Sequence, residues 1–164
     1  MTPLLDMSKI IFVLIITTIL LGCSSNTIDP TGTYKLESET EIRNGDTYGY
    51  FGSIDVKKIE SEKIVMSFFV CRGAPSYNMG MFLDTIDYIN DKAVYTCDKL
   101  DSACIINFYF SKKGIKVEEK TEDVSFGCGF GHGVQASGFY KVKSRKTPLI
   151  KDPFNSKRYE ILND

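Results

Sequence analysis

The feature that most constrains this chain is a hydrophobic period of two residues that recurs eight times. In GTYKLE, residues 32–37, Tyr34 and Leu36 alternate with polar neighbours, and SIDVK at residues 53–57 repeats the pattern. Residues 62–71 hold a longer apolar run, KIVMSFFVC, rich in Val, Ile and Phe. Residues 81–88 and 92–97 flank an Asn90-Asp91 turn, and residues 104–110 and 114–119 flank a second turn at residues 111–114. GFYKVK, residues 138–143, sets Tyr140 and Val142 on one side and Lys141 and Lys143 on the other. Eight strands with short connections, and no helical period between residues 31 and 146, predict an all-β fold. An eight-stranded antiparallel up-and-down barrel is the economical form, because closure removes exposed sheet edges; a β-sandwich is the alternative. The first and last strands share Gly-x-Tyr-Lys, at residues 32–35 and 138–141, and closure makes these two neighbours.

A second feature bears on where such a barrel is used. Residues 10–21, IIFVLIITTILL, are twelve apolar or Thr residues preceded by Lys9. A spanning helix needs about 20 apolar residues and a signal-peptide core about 7 to 15, so length favours a leader. The sequence LLGC at residues 20–23 then resembles the lipobox of bacterial lipoproteins. The resemblance implies cleavage before Cys23, palmitate-type lipid chains on that residue and attachment to the membrane through an N-terminal lipid. Each buried methylene of such chains adds roughly 0.8 kcal/mol of membrane affinity. Ser24 and Ser25 take the place of the aspartate that favours inner-membrane retention in enteric bacteria, so the same analogy points to the outer membrane, facing the periplasm. The chain therefore divides into a leader (1–22), a lipidated tether (23–30), the barrel (31–146) and a C-terminal extension (147–164).

Removing Lys9 with Asp6 takes one residue from each side of a balance of 20 basic and 21 acidic residues, and the net charge stays at -1. A chain so balanced, with its charges scattered, carries no signal for a nucleic-acid partner. Beyond Cys23 there are four cysteines, Cys71, Cys97, Cys104 and Cys128, an even number suited to two disulfides in an oxidising compartment. CDKLDSAC can close its own hairpin through Cys97 and Cys104; alternatively Cys104 joins Cys128 and Cys71 joins Cys97, which is the arrangement favoured here. One histidine and no C-x-x-C pair give no basis for a zinc site, and no cofactor is indicated.

The opening Gly-x-Tyr strand and the meander are similar to the calycin-like barrels, the group that includes lipocalins, with Tyr34 where those barrels usually carry tryptophan. KAVYT, CIINFYF and FGCGFGHGVQASGFYK together resemble a recurring pattern in small exported bacterial proteins. The Ala136-Ser137-Gly138 and Tyr140 stretch is also similar to the loop with which membrane-bound inhibitors of C-type lysozyme enter their target, which implies a contact role for Ser137. The chain has no tryptophan, so that family's following motif is absent.

Chemistry-bearing residues are sparse. Gly127, Gly129, Gly131 and Gly133, around Cys128 and His132, alternate strictly and lack the spacing of a dinucleotide loop; they read as a close-packed connection pinned by a disulfide. Asp84 and Asp87, like Glu118 and Glu119, fall on opposite faces of their strands and do not pair for acid–base work. RGAPSYNMGM, residues 72–81, reads as a long connection in which Arg72, Tyr77 and Met79 are binding candidates, joined by His132 and Ser137 from the other loops. Two functional readings follow. One is a lipid-anchored binding protein of the cell envelope without catalytic activity, lysozyme-inhibitor-like, whose partner is a lysozyme or another envelope protein. The other is a lipocalin-like carrier of a small apolar ligand held among Phe68, Phe108, Phe110, Tyr34 and Tyr140. Interior packing separates them: rings that fill the barrel leave its loops as the working surface.

Overall fold

The computed structural model describes residues 27–97 and 101–150. The leader, the lipobox and Cys23 lie outside the described residues, as does the extension beyond Ile150. Nine strands run in chain order: β1 (Gly32–Leu36), β2 (Glu41–Arg43), β3 (Asp46–Glu60), β4 (Lys63–Gly73), β5 (Met79–Ile89), β6 (Lys92–Cys97), β7 (Asp101–Phe110), β8 (Gly114–Lys120) and β9 (Gly138–Ser144). All pairings are antiparallel, and each strand from β3 to β9 pairs with the next. β1 closes the sheet by pairing with both β9 and β3, which leaves eight strands in a closed barrel and β2 outside it. The two Gly-x-Tyr-Lys strands are therefore neighbours, with Leu36 opposite Tyr140 and Tyr34 opposite Val142.

The strand missing from the sequence reading is β2. It forms a hairpin with the first residues of β3 around Asn44 and Gly45, both at positive φ. RNGD carries the Asn-Gly signal of a tight hairpin turn, but β2 is only three residues long and wholly exposed, so it shows no buried alternation. The second half of β3 pairs with β1, so this 15-residue strand belongs to the barrel at one end and projects beyond it at the other.

Aromatic rings fill the interior. Phe68 lies at their centre, with ring centroids 5.2 Å from Phe82, 5.8 Å from Tyr140, 6.0 Å from Phe130 and 6.1 Å from Phe108. Phe110 packs edge-on against both Tyr34 and Tyr88. Such offset and edge-to-face pairs add roughly 0.5–1.5 kcal/mol each to the burial of their apolar area. A second, smaller cluster sits on the outer wall, where Ile150 is fully buried against Val65 and Leu83.

The favoured disulfide scheme holds in one half. Cys104 and Cys128 are bonded, whereas Cys71 and Cys97 are free. Register explains the second outcome. Cys71 stands opposite Phe51 and Met79, one residue out of phase with the core residues Phe68 and Val70, and faces outward. Cys97 packs against the core beside Tyr95. The two thiols lie on opposite faces of the barrel wall, with β5 between their strands.

Candidate functional site

The alternation of strand directions gives the barrel two ends. Gly32 of β1, the β5–β6 turn and the β7–β8 turn lie at one, here the N-terminal end. The β4–β5 turn and the 17-residue connection between β8 and β9 (residues 121–137) lie at the other, the loop end. Arg72, Tyr77, Met79, His132 and Ser137 all fall at the loop end, although up to 65 positions separate them in the chain.

Two corrections apply. Arg72 is in β4 and Met79 in β5, so the connection is only residues 74–78, with a cis Ala74–Pro75 peptide and Tyr77 at φ 50°. Strand pairing extends past the barrel rim here because Val70 and Cys71 keep the ladder to Gly80 and Met79 intact. The free thiols of Cys71 and Cys97 are the second correction.

The two loops are locked together by backbone groups. The Gly131 N–H donates to the Met79 carbonyl at 3.0 Å, and the Asn78 side-chain amide donates to the His132 carbonyl at 2.8 Å. The Tyr50 hydroxyl of β3 donates to the Gly133 carbonyl at 2.6 Å. Gly80 is required at this junction: a Cβ there meets the Phe130 ring at 2.4 Å, so its absence admits the ring into the barrel mouth. Phe130, Val134 and Ala136 are buried and plug the mouth, and the Cys104–Cys128 bond ties the plug to β7. The Tyr77 hydroxyl bridges to the projecting hairpin, donating to Asp46 Oδ1 at 2.8 Å and accepting the Thr47 N–H at 3.0 Å. Carboxylate chemistry explains the direction of that bond: Asp46 raises the phenol of Tyr77 above its ordinary range.

Two carboxylates hold the plug from below: Asp101, which the sequence did not single out, and Glu119, which it raised only as half of a rejected acid–base pair. Asp101 Oδ2 accepts the Cys128 N–H at 3.0 Å and the Thr121 hydroxyl at 2.8 Å. Those bonds, the Cys128 N–H foremost, keep its carboxyl below 3.8. Glu119 faces the barrel interior opposite Ile106. Burial pushes its carboxyl up, against the Ala136 N–H that it accepts. In return the Glu119 N–H donates to Ser137 Oγ at 2.9 Å. Ser137 thus borders a surface groove of about 390 Å³ with Glu119, Thr121, Val124 and Val134.

Above the plug, apolar side chains stand in solvent. Val124 is 76 % exposed, Phe126 56 % and Met79 44 %, while Val134 and Phe130 beside them are buried. The Phe126 ring lies 5.2 Å from the His132 ring. Nothing in this arrangement assembles a nucleophile with a base: Cys104 and Cys128 are bonded, and Glu118 and Glu119 point to opposite faces. Among the described residues no three His, Cys, Asp or Glu side chains gather as a metal ion requires, and no helix is long and apolar enough to cross a membrane.

The chain matches no family model, no curated protein and no solved structure.

Proposed function

We propose that this chain is a lipid-anchored binding protein of the cell envelope that docks its loop end onto a protein partner, in the manner of a lysozyme inhibitor, and catalyses nothing. The observation that carries this reading is the construction of the loop end. Two regions about fifty residues apart are joined by hydrogen bonds to main-chain carbonyls, plugged by Phe130 and tied by a disulfide, yet present Val124, Phe126 and Met79 to solvent. Rigid support beneath exposed apolar and aromatic side chains is what a preorganised docking surface needs. Rings occupying the barrel interior favour this reading over the carrier, whose ligand needs the same space.

Polarity supports the anchor. The Tyr88 hydroxyl donates to the Ile28 carbonyl at 2.6 Å, and the Ile28 N–H donates to Asp91 Oδ1 at 2.8 Å, which fixes the chain at the N-terminal end only five residues after Cys23. A lipid at Cys23 therefore turns the loop end away from the membrane. The test joins both parts. The detergent-extracted chain carries diacylglycerol on Cys23, and Cys23→Ala releases it from the membrane fraction; a variant still membrane-bound removes the anchor. Inhibition of a C-type lysozyme falls on Phe126→Asp and Ser137→Ala, and an unaffected lysozyme removes the inhibitor form of the proposal.

A further inference from the structure

Strand register and one hydrogen bond bring three of the described cysteines to one corner of the loop end. Along β6 and β7 the ladder places Lys92 opposite Tyr109, Ala93 opposite Phe108 and Thr96 opposite Ile105. One further regular step pairs Cys97 with Cys104. The register slips there instead, and Cys97 stands opposite Asp101, so the bulge formed by residues 102–104 keeps Cys104 one position along from the partner of Thr96. Both cysteines face inward: Cys104 is fully buried, and Cys97 packs against the same core beside Tyr95, whose phenol is raised by burial first and by its bond with the Cys97 thiol second. Cys128 is drawn to the same place, its N–H bonded to Asp101, the residue opposite Cys97.

We propose that Cys97 is the exchange thiol of the Cys104–Cys128 bond. The Cys97 thiol loses its proton to solvent, and its thiolate attacks Sγ of Cys104. A Cys97–Cys104 bond forms as the Cys104–Cys128 bond breaks, and Cys128 leaves as a thiolate that takes up a proton. One disulfide and one thiol are present before and after, so the step needs neither oxidant nor reductant. Cys128 is the sulfur to leave, for two structural reasons. Cys104 lies within β7 directly before Ile105, which pairs with both β6 and β8 whichever partner Cys104 has, whereas Cys128 is held in the short 3-10 turn Gly127–Gly129 at φ 59°, a left-handed conformation that an L residue relaxes from when released. Exchange thus unties the plug formed by residues 121–137 from β7 while preserving the barrel, and it acts on the surface proposed above for docking. Cys71 faces the outer wall and takes no part.

The test is a disulfide map of the full chain, independent of any partner. The protein is held at a pH of about 8.5, where an ordinary thiol is half ionised, for about a day, longer than the minutes to hours of uncatalysed rearrangement. Free thiols are then alkylated, and an acid-protease digest is read by mass spectrometry. The expected result is a Cys97–Cys104 peptide pair with alkylated Cys128, lost in Cys97→Ser and retained in Cys71→Ser. Under mild oxidation Cys128→Ser, whose Cys104 is free from the outset, forms the same Cys97–Cys104 bond. An unchanged Cys104–Cys128 bond, a shift to Cys97–Cys128, or free thiols at both Cys97 and Cys104 in Cys128→Ser overturns the proposal. Lysozyme binding is not read in this experiment, so a failed docking surface and a failed exchange are told apart.

Discussion

The two ends of the barrel are stopped by different means. At the N-terminal end the Tyr34 hydroxyl donates to the Pro30 carbonyl at 2.7 Å and accepts from Arg145 at 2.8 Å, while the Arg145 guanidinium lies 5.4 Å above the Tyr34 ring and also donates to the Lys112 carbonyl. This end is a clasp: one buried phenol and one guanidinium gather three chain segments, and the chain crosses over them. At the loop end the stopper is a connection with almost no regular structure, held by glycine-admitted backbone contacts, an inserted phenylalanine and a covalent bond. The difference shows how a fold can fix one end with two side chains and close the other with a loop whose main chain is held from outside while several of its own side chains face solvent. Val124 stays exposed on that loop, as do Phe126 and His132, whose rings pack on each other.

The loop end is as integral to the core as the clasp, and Phe130 carries the largest expected effect. Phe130→Ala removes a ring that is 95 % buried and stacked on Phe68, and costs about 3–5 kcal/mol in denaturant unfolding. A loss below 1 kcal/mol makes the stopper a surface ornament. Replacing Cys104 and Cys128 together by Ala comes next. The bond closes a 24-residue separation, for which loop entropy gives about 3 kcal/mol. Amide exchange then rises in residues 121–137 and stays unchanged around Asp91, and a rise at both ends merges the two stoppers into one cooperative unit. Smaller again is Tyr34→Phe, which leaves the Pro30 carbonyl and an Arg145 donor unpaired at the clasp and costs about 1–3 kcal/mol, with amide exchange at the loop end unchanged.

The smallest effect is a pH dependence confined to the loop end. The folded Asp101 carboxyl titrates below its ordinary 3.8, so its stabilisation is complete above that value and is lost as pH falls through the folded pKa. Glu119 runs the other way, since a raised folded pKa contributes stability at low pH that disappears as pH rises through it. The difference in melting temperature between wild type and Asp101→Asn therefore narrows in acid, whereas that between wild type and Glu119→Gln shifts with opposite sign. Parallel profiles for the two variants remove both carboxylates from the support of the plug.

Much of the barrel was legible because alternation is local. Every strand in which Tyr34, Ile54, Phe68, Phe108 or Tyr140 turns inward announces itself by polar neighbours on either side, or by a run of branched and aromatic residues. β2 was not legible, since Glu41, Ile42 and Arg43 bury nothing and leave no pattern. Arg72, Tyr77, Met79, His132 and Ser137 were named from residue type in expected connections, two of which, Arg72 and Met79, are strand positions, while the bonds made by Asp101, Glu119, Tyr50 and Asn78 were not legible. Their roles are bonds to main-chain atoms from 17 to 83 positions away, and a contact of that kind has no local signature. Glycines around Cys128 were one available hint, and Gly80 was another, whose small size matters only once Phe130 arrives.

Eight of the strands and their inward faces follow from the chain's own local pattern, because a two-residue repeat and tight turns are set by neighbouring atoms. Barrel assembly is what turns Cys71 away from Cys97, sets Cys97 opposite Asp101, closes the Gly-x-Tyr strands on each other and brings two distant loops to one end. Those outcomes depend on register and closure, where a slip of one residue moves a side chain to the other face of the wall.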